Sequence, residues 1–152
     1  MKFFKTAIIG CGRIGSLLEE DPLRGKPCTH AGAFSALKNV QIIAGCDINE
    51  TRLKKFGKKW KVKNLYTNYH DMLSENSLDI LCVATWTNQH ASMALDGVRS
   101  GVKGIFCEKP IDVDLNLARK LVRTCKTKNQ VRSLVLNDLQ ISCAIDYRGH
   151  AN

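Results

Sequence analysis

The chain has 152 residues, 44% of them hydrophobic and 24% charged, with a formal net charge of +9. That is one ordinary domain with apolar content enough for a packed core, and no apolar run approaches the ~18 residues of a transmembrane helix. Seven cysteines (11, 28, 46, 82, 107, 125 and 143) contain no C-x-x-C, which argues against a metal site or a disulfide framework and for a reducing, cytoplasmic setting.

The N-terminal "MKFFKTAIIG" has too short an apolar stretch for a signal peptide and reads as a first strand over 6–9. It runs into Gly10-Cys11-Gly12-Arg13-Ile14-Gly15, a G-x-G-x-x-G, with a helical pattern expected over 14–20. Pro22, Gly25 and Pro27 then break the chain before a helix over 30–38 that Thr29 can cap. A second strand over 40–46 ends at Asp47. The helix expected over 50–60 places Leu53, Phe56 and Trp60 on one face and lysines on the other. That arrangement accounts for much of the positive charge as a solvated surface. No zinc-finger spacing or aromatic RNA-binding signature accompanies it, so nucleic acid is not an expected partner.

A weaker strand, "NLYTN" at 64–68, precedes a helix over 69–75. A strand over 79–84 ends in "CVATWTNQH" and is followed by a helix over 89–100, and a strand over 103–107 ends in "IFCEKP". The best-marked helix, 115–127, has Asp114 as its cap and Leu115, Ala118, Val122 and Cys125 along one face. A last strand is expected over 131–136. Short Ile-, Val- and Cys-rich runs alternating with helical patterns mean an α/β, doubly wound, mainly parallel sheet with helices on both faces. Residues 1–137 make up this domain, and 138–152 lose the pattern as a divergent tail.

A G-x-G-x-x-G gains weight only between a strand and a helix, with an acid at the end of the next strand. Gly10 would permit the tight turn, Gly12 the close approach of a pyrophosphate, and Gly15 the packing of helix on sheet. Helix N-terminal amides would then face the phosphates. Asp47 is placed to accept the ribose hydroxyls of NAD, and it would repel the 2′-phosphate of NADP, an alternative that Arg52 and nearby lysines keep open. Asp47 stands 32 residues past Gly15, where about 20 is usual.

With Ala84-Thr85…His90 and Glu108-Lys109-Pro110 following in order, residues 3–130 resemble the glucose–fructose oxidoreductase, inositol dehydrogenase and rhizopine-catabolism (Gfo/Idh/MocA) family. The resemblance implies a Rossmann-type fold and an NAD(P)-dependent oxidoreductase acting on the CH–OH group of a sugar, cyclitol or related small molecule. Carried over, Cys11, Gly12, Arg13 and Ile14 would touch the pyrophosphate, and Asp47, Ile48 and Arg52 would lie at the adenosine. Ala84, Thr85, Trp86 and Asn88 would line the middle of the cofactor, with His90 close behind. Glu108 and Lys109 would sit beside the nicotinamide, Lys109 as the catalytic candidate, and a cis bond before Pro110 would aim it.

Trp86 stands where the family usually has proline, so a different local turn is an open expectation. Family members are about twice as long, with a second domain that carries the substrate pocket, a catalytic His and most of the oligomer interface. Asp146 and His150 come too early to be its acid–His pair. The chain is therefore expected to be the dinucleotide-binding part alone, self-associating through the surface a second domain would cover. The alternative is a stand-alone nucleotide-binding module or truncated remnant without catalysis.

Overall fold

Strands covered on both faces must be apolar along their length, and the central strands here are. The structure, a computed structural model, describes residues 3–127, 133–136 and 143–144. Its strands are β1 (Phe4–Ile9), β2 (Val40–Cys46), β3 (Asn64–Tyr66), β4 (Ile80–Val83), β5 (Gly104–Cys107), β6 (Ser133–Leu136) and β7 (Cys143–Ala144). They form one sheet in the order β3-β2-β1-β4-β5-β6-β7, parallel except for β7 against β6. The order reverses between β1 and β4. In such a doubly wound sheet that switch point opens a crevice at the carboxyl ends of the strands.

Among the described residues five helices cover the sheet: α1 (His30–Ala36), α2 (Glu50–Trp60), α3 (Tyr69–Glu75), α4 (His90–Arg99) and α5 (Leu115–Thr127). The pleat sorts side chains to two cores. Ala7, Ile9, Leu81, Val83, Ile105 and Cys107 pack under residues of α3, α4 and α5. Ile8 and Cys82, from the same strands, join Ala31 of α1 and Leu53 and Phe56 of α2 on the opposite face. Side chains that accept first-turn amides start four of the helices: Thr29, Asn49, Asn68 and Asp114.

Two expectations need correction. Residues 14–20 form no α-helix but a wide turn ending in a single 3-10 turn, Leu17–Glu20. The amides of Leu17 and Leu18 reach back five residues, to the carbonyls of Gly12 and Arg13. Pro22 then forces Asp21 to an extended backbone (ψ 113°), so there is room for no further turn. On α5, Leu115 is exposed, and Leu121 instead joins Ala118 and Cys125 in the core.

The chain also resumes the interrupted helix. His30 and Ala31 donate their amides to the carbonyls of Ile14 and Gly15, both at 3.0 Å. In an unbroken α-helix Leu18 and Glu19 would make those bonds. His30 therefore stands where Leu18 would, and twelve residues (30 minus 18) are spliced into the helix. Without them Asp47 would follow Gly15 by the usual 20.

Candidate functional site

Gly10 to Gly15, Asp47, Ala84 to Asn88, Glu108 and Lys109 lie at or just beyond the carboxyl ends of β1, β2, β4 and β5, around the switch point. Gly10 has φ +94°, and a Cβ there would collide with the backbone carbonyl of Ala84. Its amide binds the Cys46 carbonyl at 2.8 Å, so the turn is pressed between the β2 and β4 ends. A Cβ at Gly15 would strike the Gly10 carbonyl, so this glycine closes the turn on itself rather than packing helix on sheet. Gly12 differs: nothing lies within 4 Å of where its Cβ would be.

Among the described residues, no acceptor faces the amides of Gly12, Arg13 and Ile14. Three successive free donors beside an open glycine fit a pyrophosphate. Cys11 does not join them, because its amide donates to Asp47 Oδ2 at 2.9 Å. Burial, then the nearby Asp47 charge, pushes its thiol well above the usual range. Trp60 Nε1 donates to Ser16 Oγ at 2.8 Å, fastening the end of α2 to the same turn.

Asp47 is buried. Its Oδ1 accepts the Asn49 amide at 2.8 Å and Arg52 Nη2 at 2.8 Å, while Oδ2 accepts Arg52 Nε at 3.1 Å besides the Cys11 amide. Donating those bonds to Asp47 holds the Arg52 guanidinium more firmly protonated. Ile48 beside it is 84% exposed and adds apolar surface next to the carboxylate.

On the β4 side Ala84 is buried, Thr85 half-buried with its hydroxyl 3.6 Å from Met93 Sδ, and Asn88 exposed. Trp86 is 81% exposed. Its φ of −77° and ψ of 145° lie where a proline would sit, so the turn keeps a proline's backbone without the proline. His90 lies behind, fully buried. Its Nδ1 is 2.8 Å from the Pro110 carbonyl and its Nε2 3.0 Å from the Thr85 carbonyl, tying the β4 and β5 loops together.

At the end of β5, Lys109 is exposed and the Lys109–Pro110 bond is cis. Glu108 turns inward: its Oε1 is 2.6 Å from His30 Nε2, both side chains nearly buried, with the His30 ring edge-on to Phe106. His30 is the residue sequence reasoning missed. Only its position at the start of a capped helix was visible, and its partner stands 78 positions away. Asp146 and His150 lie outside the described residues.

Residues 4–135 match the model of an oxidoreductase family described as an NAD-binding Rossmann fold, Gfo/Idh/MocA. D-apiose dehydrogenase of Paraburkholderia graminis is 31% identical over 83% of this chain and 30% of its own length. Myo-inositol 2-dehydrogenase of Thermotoga maritima is 25% identical over 80% and 33%. Among solved structures, myo-inositol 2-dehydrogenase from Lactobacillus plantarum superposes with a TM-score of 0.74 at 26% identity, over 89% of this chain and 36% of that one. Scyllo-inositol dehydrogenase from Lactobacillus casei, solved with NAD(H) and scyllo-inositol, shares the fold at 18% identity (TM-score 0.76, 90% and 36%). The chain thus spans about a third of the length of these relatives.

Proposed function

The chain belongs to the Gfo/Idh/MocA oxidoreductase family and carries its NAD-binding Rossmann domain, and from that premise we propose that it holds the cofactor for hydride exchange with a hydroxyl-bearing carbon of a sugar, cyclitol or related compound. The observation that carries this reading is the Gly10 turn, which is wedged under Ala84 and leaves the Gly12, Arg13 and Ile14 amides open.

Those amides would hold the pyrophosphate, Asp47 the adenosine ribose, and Ile48 the adenine face. Ala84, Thr85, Trp86 and Asn88 would flank the nicotinamide half. When bound, the nicotinamide supplies the hydride acceptor or donor. Lys109, exposed at the end of β5, would orient the substrate oxygen and stabilise charge on it. Neither Glu108, turned in to His30, nor His90, whose two nitrogens face backbone carbonyls, is poised as a separate proton acceptor.

The 152-residue chain is therefore expected to bind NADH, with quenching of tryptophan emission, but not to reduce NAD with inositol or glucose. A titration without saturable quenching would remove the dinucleotide reading. Turnover abolished by Lys109→Ala would show instead that the chain holds its own acceptor.

Cys11, Cys28, Cys46, Cys82 and Cys107 carry free thiols, which suits a reducing cytoplasm. No helix among the described residues is long and apolar enough to cross a membrane. The α2 lysines are assigned to a solvated face rather than to nucleic acid. Exposed Val113 and Leu115 favour a homo-oligomer, for which light scattering is the test.

A further inference from the structure

A carboxylate offers about four lone-pair sites. All four of Asp47's are taken, by the Cys11 and Asn49 amides and by two nitrogens of Arg52. The Asp47 side chain is 4% exposed, and the Arg52 side chain paired with it is 40% exposed. A ribose diol reaching for this carboxylate finds neither a free acceptor nor a path to one.

The four partners are not equally fixed. The Cys11 amide belongs to the wedged turn, and the Asn49 amide belongs to the residue that caps α2. Moving either disturbs backbone. Arg52 sits in the first turn of α2 at the end of a flexible side chain open to solvent, so it is the partner that can leave. We propose that Arg52 is a displaceable cap on Asp47, and that the adenosine ribose binds by taking its place. This rests on the dinucleotide reading above and adds to it a residue that sets affinity by occupying the site, not by contacting the ligand. The cap also keeps the buried carboxylate paired while the site waits.

The consequence runs against intuition: removing a cation tightens the hold on an anionic cofactor. Partly exposed ion pairs are worth little, so the expected gain for Arg52→Met is about two- to sixfold. Methionine keeps the apolar stem and drops the fork. Three probes separate the causes. Adenosine is uncharged and carries the ribose diol, so its affinity, read from NMR line shifts, should rise with that of NADH. Reduced nicotinamide mononucleotide lacks the adenosine half and should bind Arg52→Met as it binds the parent.

Arg52→Lys, which keeps the charge without the fork, should show the adenosine gain as well, and it stands in should the methionine variant fail to fold. Adenosine binding that is unchanged or weakened in whichever variant folds, with the parent still binding NADH, overturns the cap and spares the dinucleotide reading. A parent that binds neither NADH nor adenosine overturns both.

Discussion

The imidazole of His30 meets the carboxylate of Glu108 at 2.6 Å, joining the first residue of α1 to the end of β5 across the covered face of the sheet. His30 also donates its amide to Ile14, so one residue links the glycine turn to the turn that carries Lys109.

His30→Ala would take the imidazole partner from the buried Glu108 carboxylate, at a cost of about 3 kcal/mol. For a domain of this size that is a drop of about 6–12 °C in Tm. His30→Gln, whose amide can still donate to Glu108, should recover much of it. Thermal unfolding of the three proteins checks the order, and an unchanged Tm in His30→Ala would contradict it.

Gly10 and Gly12 should fail in opposite ways. Gly10→Ala combines a left-handed φ with a collision against the Ala84 backbone and should cost about 3 kcal/mol or more. Gly12→Ala meets open space and should leave stability within about 0.5 kcal/mol. It should nonetheless weaken NADH at least about tenfold, because the new methyl points where the pyrophosphate would lie. Denaturant melts beside NADH titrations separate the two.

Asp47→Ala should weaken NADH more than NADPH, since the carboxylate serves a free 2′-hydroxyl and repels a 2′-phosphate. Tighter NADPH than NADH binding in the parent protein would defeat this. An equal loss for both cofactors would assign Asp47 solely to bracing the turn through Cys11.

Stability should fall as pH rises above about 9. Burial pushes the Cys46 and Cys107 thiols up to about 12, and raises Cys11 and Cys82 as well. Burial and the Asp96 hydrogen bond push Tyr69 up to about 12. The unfolded chain releases these protons from their ordinary values, 9.0 for the thiols and 10.0 for the tyrosine, while the folded chain keeps them. Their contribution is complete below pH 9 and is lost toward pH 12, at about 1.4 kcal/mol per pH unit for each buried thiol. Urea midpoints at pH 8 and 9 should lie close together and then fall at pH 10 and 11, and a flat series would refute the assignment.

The sheet was legible because parallel strands announce themselves as short apolar runs, and the candidate site because glycines and an acid stand together at strand ends. Val40–Cys46 and Leu115–Thr127 lie where the pattern puts them, and β4 and β5 are only trimmed at their ends. Competing interactions hid the rest. Pro22 and the wide bonding of Leu17 and Leu18 cancelled the helix over 14–20. Leu115 carries the right residue type at the helix start but has no core beneath it. The pairings of Arg52 with Asp47 and of His30 with Glu108 are side-chain choices that no spacing rule encodes.

The splice at residues 18–29 makes this surface a port. The chain departs after the glycine turn and returns to the next vacant carbonyls of the same helix, at Ile14 and Gly15. Whatever lies between is held to a closed gate, and its length drops out of the register that follows. Residues added at the crest should leave that register unchanged as long as Glu19 and Thr29 keep the bonds that close the gate. Loop closure penalises such extra length only slowly. Leu23, 93% exposed near the crest of the excursion, marks where such a graft would be made.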